Sequence, residues 1–375
     1  MALSTSRVCL TAFDWWKDES HRISPEHLAL FRIVYSLFLL FLAFPVPFWT
    51  EAIPAPFFTP PPGPLALLSG FPPVETLRVV SSVLVFSVVA LFWGYHTRLA
   101  SYLTGVLLIF LIGADYCLGK IDHNRHFLFI IPLILADSGW GNQFSLDQFK
   151  RGQTVVNCSR LTILAFVLGC FFMSAGLPKL LGGWLDTSRG ATWSYTLVFS
   201  KPFLGGEFIM RSVPPLLWKL MDYMTVIFEV GFLLTIISIK GTRLACYIAL
   251  LFHFGIYVLL GISFFEQYIM YPAFWPLDKI RPLLRLGGLL NNLIQTFRPS
   301  AYCHLILICL PSIVYCVVLH TVGVPTLIYY GWSKWTIGAL HSTVTFMVAI
   351  TICYYIVSKV TGARPSELGA VHENP

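Results

Sequence analysis

Charge is what this sequence has least of. Only 11% of its 375 residues are Asp, Glu, Lys or Arg, while 56% are hydrophobic. A soluble domain carries about 25% charged residues, which it needs to cover its surface. The shortage excludes an ordinary soluble globule and points to an outer face that meets lipid. Other things are missing too. The nine cysteines include no CxxC pair, so no zinc or redox motif is visible and no metal site is expected. Cys117, Cys170, Cys246, Cys303, Cys309, Cys316 and Cys353 lie in or at the ends of apolar runs and read as small apolar residues. The formal net charge of +7 is scattered over short loops without a Lys/Arg block. That argues against a nucleic-acid partner and for loop charges near lipid headgroups. No internal repeat is seen, which weighs against a transporter, and no soluble domain stands apart.

What is present is a series of continuous apolar runs about twenty residues long. Backbone polar groups cannot be left open in hydrocarbon, so spanning elements are helices or a closed barrel. A barrel would alternate in polarity over roughly ten residues, and these runs do not. The fold class expected is therefore all-α, a polytopic transmembrane bundle of about eight or nine spans. They lie near Leu28–Phe48, Leu77–Tyr95, Leu99–Leu118, Leu161–Leu181, Leu216–Ile239, Arg243–Phe265, Cys303–Ile328 and Thr336–Val357. The run His126–Ala136 is too short to cross unaided and is either re-entrant or one part of a longer helix. His96-Thr97-Arg98 alone separates two spans, which should form a hairpin.

The organisation expected is a polar tail over 1–24, a transmembrane domain over 25–280, a loop and two further helices over 281–358, and a polar tail over 359–375. Phe13, Trp15 and Trp16 suit an interfacial segment. No small-residue cleavage site closes the first apolar run, so a signal peptide is not expected. The loop from Pro54 to Pro73 is too rich in proline for regular helix. It lacks Lys and Arg, whereas the tail has Arg7, Lys17 and Arg22, which predicts a cytoplasmic N-terminus. The segments between Leu181 and Leu216 and after Phe265 read as loops.

An ionisable side chain at membrane depth is costly, which makes each one a candidate for function or for an internal pair. Four groups qualify. Arg32 lies one turn into the first span. Asp122-His123-Asn124-Arg125-His126 opens the short run. Lys179 closes Ser174-Ala175-Gly176-Leu177-Pro178-Lys179. Asp222 and Glu229 lie in one span, with Arg243 and His253 in the next. Asp222 and Glu229 are seven apart and share a helix face. Glu229 needs a partner, for which Arg243, Arg32 or His253 would serve; His253 alternatively bonds a neighbouring helix. Desolvation disfavours the charge of a lysine in an apolar site, and a neutral amine is a base. The competing role for Lys179 is that of an interfacial anchor.

Taken together, four stretches resemble the HTTM (horizontally transferred transmembrane) family, which includes vitamin K-dependent gamma-carboxylase. They are Leu28–Leu39, the His/Asn cluster leading to Ser145-Leu146-Asp147, the SAGLPKLLGGW of Ser174–Trp184, and Asp222–Phe265 with Glu229, Arg243 and His253 in order. The resemblance covers about residues 25–280. It implies Lys179 as the base that deprotonates a reduced vitamin K-like quinone, assisted by a histidine. The order His123-Asn124-Arg125-His126 departs from the family's Asn-His, so either His123 or His126 fills that role. It also implies the endoplasmic reticulum if the cell is eukaryotic. The carboxylase's large lumenal domain has no counterpart here, so capture of a propeptide is not expected. Two readings follow: a carboxylase-like enzyme that uses a quinone or related lipid, or a non-enzymatic membrane protein that binds a lipid or assists a partner.

Overall fold

The structure, a computed structural model, describes residues 21–45, 47–149, 156–188, 190–199, 206–297 and 301–321. Every regular element among them is helical. In chain order the α-helices are α1 (Pro25–Phe41), α2 (Val74–Trp93), α3 (Thr97–Asp115), α4 (His126–Leu135), α5 (Ser159–Leu181), α6 (Ala191–Phe199), α7 (Gly206–Ser212), α8 (Pro215–Thr235), α9 (Ile239–Leu260), α10 (Arg281–Phe297) and α11 (Ala301–Thr321).

Four helical stretches are long and apolar enough to cross a membrane: Val74–Trp93, Thr97–Leu118, Ser159–Leu181 and Ile239–Leu260. Each buries half or less of its apolar window inside the protein. The remaining surface, with Val79, Leu99, Phe166 and Leu251 exposed, is the apolar coat expected of a lipid-facing bundle. α8 is of similar length but carries Lys219, Asp222 and Glu229.

Local chemistry explains the boundaries. Ser24 Oγ accepts from the His27 N–H at 3.1 Å, with Pro25 in the first turn, and so starts α1. Gly94 in the left-handed region ends α2. The Asp147 carboxylate accepts from the His96 and Thr97 N–H groups at 3.0 and 2.7 Å and caps α3. The α2–α3 hairpin is as the short connection predicts. α9 starts four residues before the expected Arg243, because Ser238 Oγ accepts from the Gly241 N–H at 3.2 Å.

Two connections expected to be loops contain helix. α6 and α7 lie between Leu181 and Leu216, and a 3-10 segment over Phe265–Ala273 and then α10 follow α9. α6 is short and receives its N-terminal cap from a residue far along the chain, a signal local sequence cannot carry. α10 is amphipathic, with Leu290 and Ile294 buried and Leu289 and Leu293 exposed; its interleaved Arg, Asn and Gly residues hide it from a search for continuous apolar runs. The core holds Phe31, Tyr35 and Trp140, with Tyr35 Oη donating to the Leu128 carbonyl at 2.5 Å and Trp140 Nε1 to Ser101 Oγ at 3.1 Å. Cys117, Cys158, Cys170, Cys246, Cys309 and Cys316 are free thiols. The N-terminal aromatics, Pro325, the span at Thr336–Val357 and the C-terminal tail lie outside the described residues.

Candidate functional site

The close contact of α5 with α8 builds the site. Gly176 faces α8 so tightly that an added Cβ would sit 2.7 Å from the Glu229 Cβ and 3.0 Å from the Val230 backbone nitrogen. The missing side chain lets the two backbones approach, as small residues do between membrane helices. Three residues on, Lys179 Nζ reaches both carboxylate oxygens of Glu229 at 2.6 Å. Lys179 Nζ also donates to the Ala175 carbonyl at 3.3 Å. Glu229 is 6% exposed at the side chain and Lys179 25%, so the carboxylate is buried and the amine looks out.

The partners expected for Glu229, namely Arg243, Arg32 or His253, are therefore corrected: its partner is Lys179. A buried charge needs an opposite charge or a loss of its own, and Glu229 supplies the former. Lys179 is thus a paired amine.

The pair opens on a cavity of about 710 Å³, within the roughly 300–1,000 Å³ usual for small-molecule sites. Its walls mix polar and aliphatic side chains with an aromatic group that includes Phe171, Phe172, Trp184, Tyr195, Phe252 and Phe264. Lys179 Nζ lies 5.5 Å from the centre of the Trp184 ring, within cation–π range. His253 also lines the cavity. Its ring is stacked against Phe172 and Phe264, with centroids 5.7 and 4.4 Å away, and its Nδ1 lies 3.0 Å from Tyr271 Oη. The expected bond to a neighbouring element is thus made, and it fixes the ring.

Lys120, Asp122, His123 and Asn124 line another part of the cavity with Glu266. Asn124 Nδ2 donates to Glu266 Oε2 at 3.0 Å. His126 is set behind His123, with ring centroids 5.8 Å apart. Of the two histidines, His123 is the one on the cavity wall.

The structure brings Lys179, Glu229, His253 and His123 together on the cavity, while His126, Arg32, Asp222 and Arg243 do not line it. Arg32 is fully buried, and its Nη2 donates to the Phe144 carbonyl at 2.6 Å. Asp222 caps α6 and meets Lys219 at 3.3 Å. Arg243 Nε donates to the Phe274 carbonyl at 2.9 Å. The expected grouping of Asp222, Glu229, Arg243 and His253 is corrected accordingly: Asp222 lies two turns along α8 from Glu229 and accepts from the N–H groups of Ala191 and Thr192.

Sequence reading missed Glu266, Tyr195 and Lys219. Glu266 falls in a stretch read as loop. Tyr195 falls on an unrecognised helix. Lys219 carried a usable signal, since it stands one turn before Asp222 on the same face. Among the described residues no group of three His, Cys, Asp or Glu side chains is placed to hold a metal.

Chemically, a lysine and a carboxylate in such contact can exchange a proton, and both line the cavity. The arrangement suits removal of a proton from a ligand hydroxyl, with the resulting negative charge held beside the ammonium. No family model, curated protein or solved structure matches this chain.

Proposed function

We propose that the chain is a multi-pass membrane enzyme of about eight or nine spans that deprotonates a reduced quinone-like lipid, with Lys179 as the base. The observation that carries the reading is the Lys179–Glu229 pair, with the carboxylate more deeply buried than the amine, on the wall of a cavity that also presents aromatic faces. The order of the motifs that resemble the HTTM family supports it, and with it a carboxylase-like chemistry and an endoplasmic reticulum location in a eukaryotic cell.

The lining fits a flat ring: aromatic faces for stacking and the Lys179–Glu229 pair for an oxygen. When bound, a reduced quinone supplies an acidic hydroxyl and two electrons. The chain's own part is to handle the proton. Lys179 cedes one to Glu229 across 2.6 Å, and the neutral amine then takes the ligand's. The pair ends one proton richer, with the ammonium facing the new anion. His123 and the Asn124–Glu266 pair face the same space from the opposite loop and are the groups placed to hold a second polar end of the ligand.

The test uses purified protein in lipid nanodiscs, supplied with menadiol under air. Wild type is expected to accelerate oxygen consumption over protein-free nanodiscs. Lys179→Arg keeps a cation for Glu229 but never yields its proton, so it should fold and lose turnover. No acceleration by wild type under any redox condition, together with a phospholipid recovered from the purified protein, would replace this reading with lipid binding without chemistry.

A further inference from the structure

The stretch from Trp184 to Tyr195 walls one side of the cavity with Trp184, Thr192 and Tyr195. Within it, the Ser188 N–H and hydroxyl donate to Asp186 Oδ1 at 2.9 and 2.8 Å. Three residues of α8 tie it to the bundle. Lys219 Nζ donates to the carbonyls of Trp184 and Asp186 at 2.7 and 2.5 Å. Asp222 accepts from the N–H groups of Ala191 and Thr192 at 3.2 and 2.7 Å. Tyr223 Oη donates to the Leu185 carbonyl at 3.1 Å. From the α5 side, the Trp184 N–H donates to the Lys179 carbonyl at 3.2 Å.

Two charged side chains are committed to this task, and both are largely withdrawn from solvent: Lys219 is 14% exposed and Asp222 0%. A helix cap needs only one local hydroxyl or carboxylate, so a distant buried carboxylate backed by a lysine is more than capping α6 requires. The product of the arrangement is a fixed pair of rings. The Trp184 and Tyr195 centroids are 5.6 Å apart at 44°, and Trp184 flanks the Lys179 amine. The same helix carries Glu229 two turns beyond Asp222, so the rings and the ion pair share one rigid support.

We infer that Lys219 and Asp222 are positioning residues: they set Trp184 and Tyr195 as an aromatic shelf beside Lys179, and the shelf selects a planar aromatic ligand over a linear one. This rests on the reading of the cavity as a quinol site. A linear chain gains from apolar walls as much as a ring does, but only a planar π system gains from stacking.

The experiment measures equilibrium binding of menadione and of decanol to protein in nanodiscs, for wild type and for Trp184→Leu, Trp184→Phe, Lys219→Met, Lys219→Arg and Asp222→Asn. Trp184→Leu should weaken menadione about threefold to tenfold and leave decanol unchanged. Trp184→Phe should restore most of the loss. Lys219→Met and Asp222→Asn should lower the menadione-to-decanol ratio in the same sense, and Lys219→Arg should restore it. A merely structural role would weaken both ligands together and leave the ratio alone. Should Asp222→Asn fail to fold, the Trp184 and Lys219 series decides. Menadione binding to wild type with an unmoved ratio in Trp184→Leu overturns the shelf and spares the quinol reading. Decanol binding without menadione binding in wild type overturns both.

Discussion

Arg32 and Lys179 are both basic residues inside apolar helices, and the protein treats them in opposite ways. Arg32 is packed. It is 0% exposed, one nitrogen meets a carbonyl, and Nε and Nη1 have no hydrogen-bond partner. Asp147 acts on it as a counter-charge without touching it. Lys179 is paired and open: two carboxylate contacts on one side, the cavity on the other. The difference teaches that depth alone does not mark function. Both positions are costly, but only one has space beside it for a ligand, and only one has a partner able to take its proton. Arg32 is read as architecture and Lys179 as chemistry.

The largest effect should come from breaking the pair. Lys179→Met leaves the Glu229 carboxylate buried and uncompensated, which costs roughly 3–5 kcal/mol. Melting of the detergent-solubilised protein should drop accordingly. Adding Glu229→Leu removes the orphaned charge, so the double variant should regain most of the loss while remaining without turnover. Melting of Lys179→Met at the wild-type temperature would mean that water reaches Glu229, and the distinction from Arg32 would then rest on the cavity alone.

That pair also shows how far the sequence could be read. Lys179, Glu229 and His253 stood out because charge is rare in apolar runs, and that signal is local. Their pairing is not local. It depends on Gly176 letting α8 approach, and glycine in a membrane helix has many uses. The hairpin at His96 and the long apolar helices were legible from hydropathy and turn residues. α6 was not, since its cap comes from Asp222, thirty residues along the chain. Arg32 looked as promising as Lys179 from sequence, because nothing in the residues near it says whether the space around a side chain is filled or empty.

The packed side of the comparison can be tested at Gly94. It adopts φ +64, and a Cβ there would overlap Arg32 Nη1 and the Ser145 side chain. Left-handed backbone in a non-glycine residue costs about 1–3 kcal/mol by itself, and the overlap adds to it. Gly94→Ala is therefore expected to destabilise by about 3 kcal/mol, in lowered melting temperature or yield, while the folded fraction binds cavity ligands as before. If Gly94→Ala folded normally, the guanidinium would have room to move, and its surroundings would not be the filled site that sets it apart from Lys179.

A third basic group shows a third outcome and the smallest effect. His21 lies outside the spanning helices yet is 0% exposed, with its Nε2 3.0 Å from Thr242 Oγ1 and its ring edge-on to Phe274. Where Lys179 is paired and Arg32 is boxed in, His21 is discharged: burial pushes the imidazole down from 6.5 to about 4. Its folded-state value lies below the unfolded one, so the unfolded chain binds the extra proton at intermediate pH. The contribution of His21 is therefore complete above pH 6.5 and drains away as pH falls toward 4. Between pH 7 and pH 5.5 the loss should be about 1 kcal/mol. Other groups titrate over the same range, so the measurement is the difference in melting temperature between wild type and His21→Gln at each pH. Wild type should lose ground to the variant on acidification, and the gap should stop changing above neutrality. A difference that is flat with pH would mean that the imidazole ionises in place, and burial without a discharge would then be something this fold tolerates at His21 as it does at Arg32.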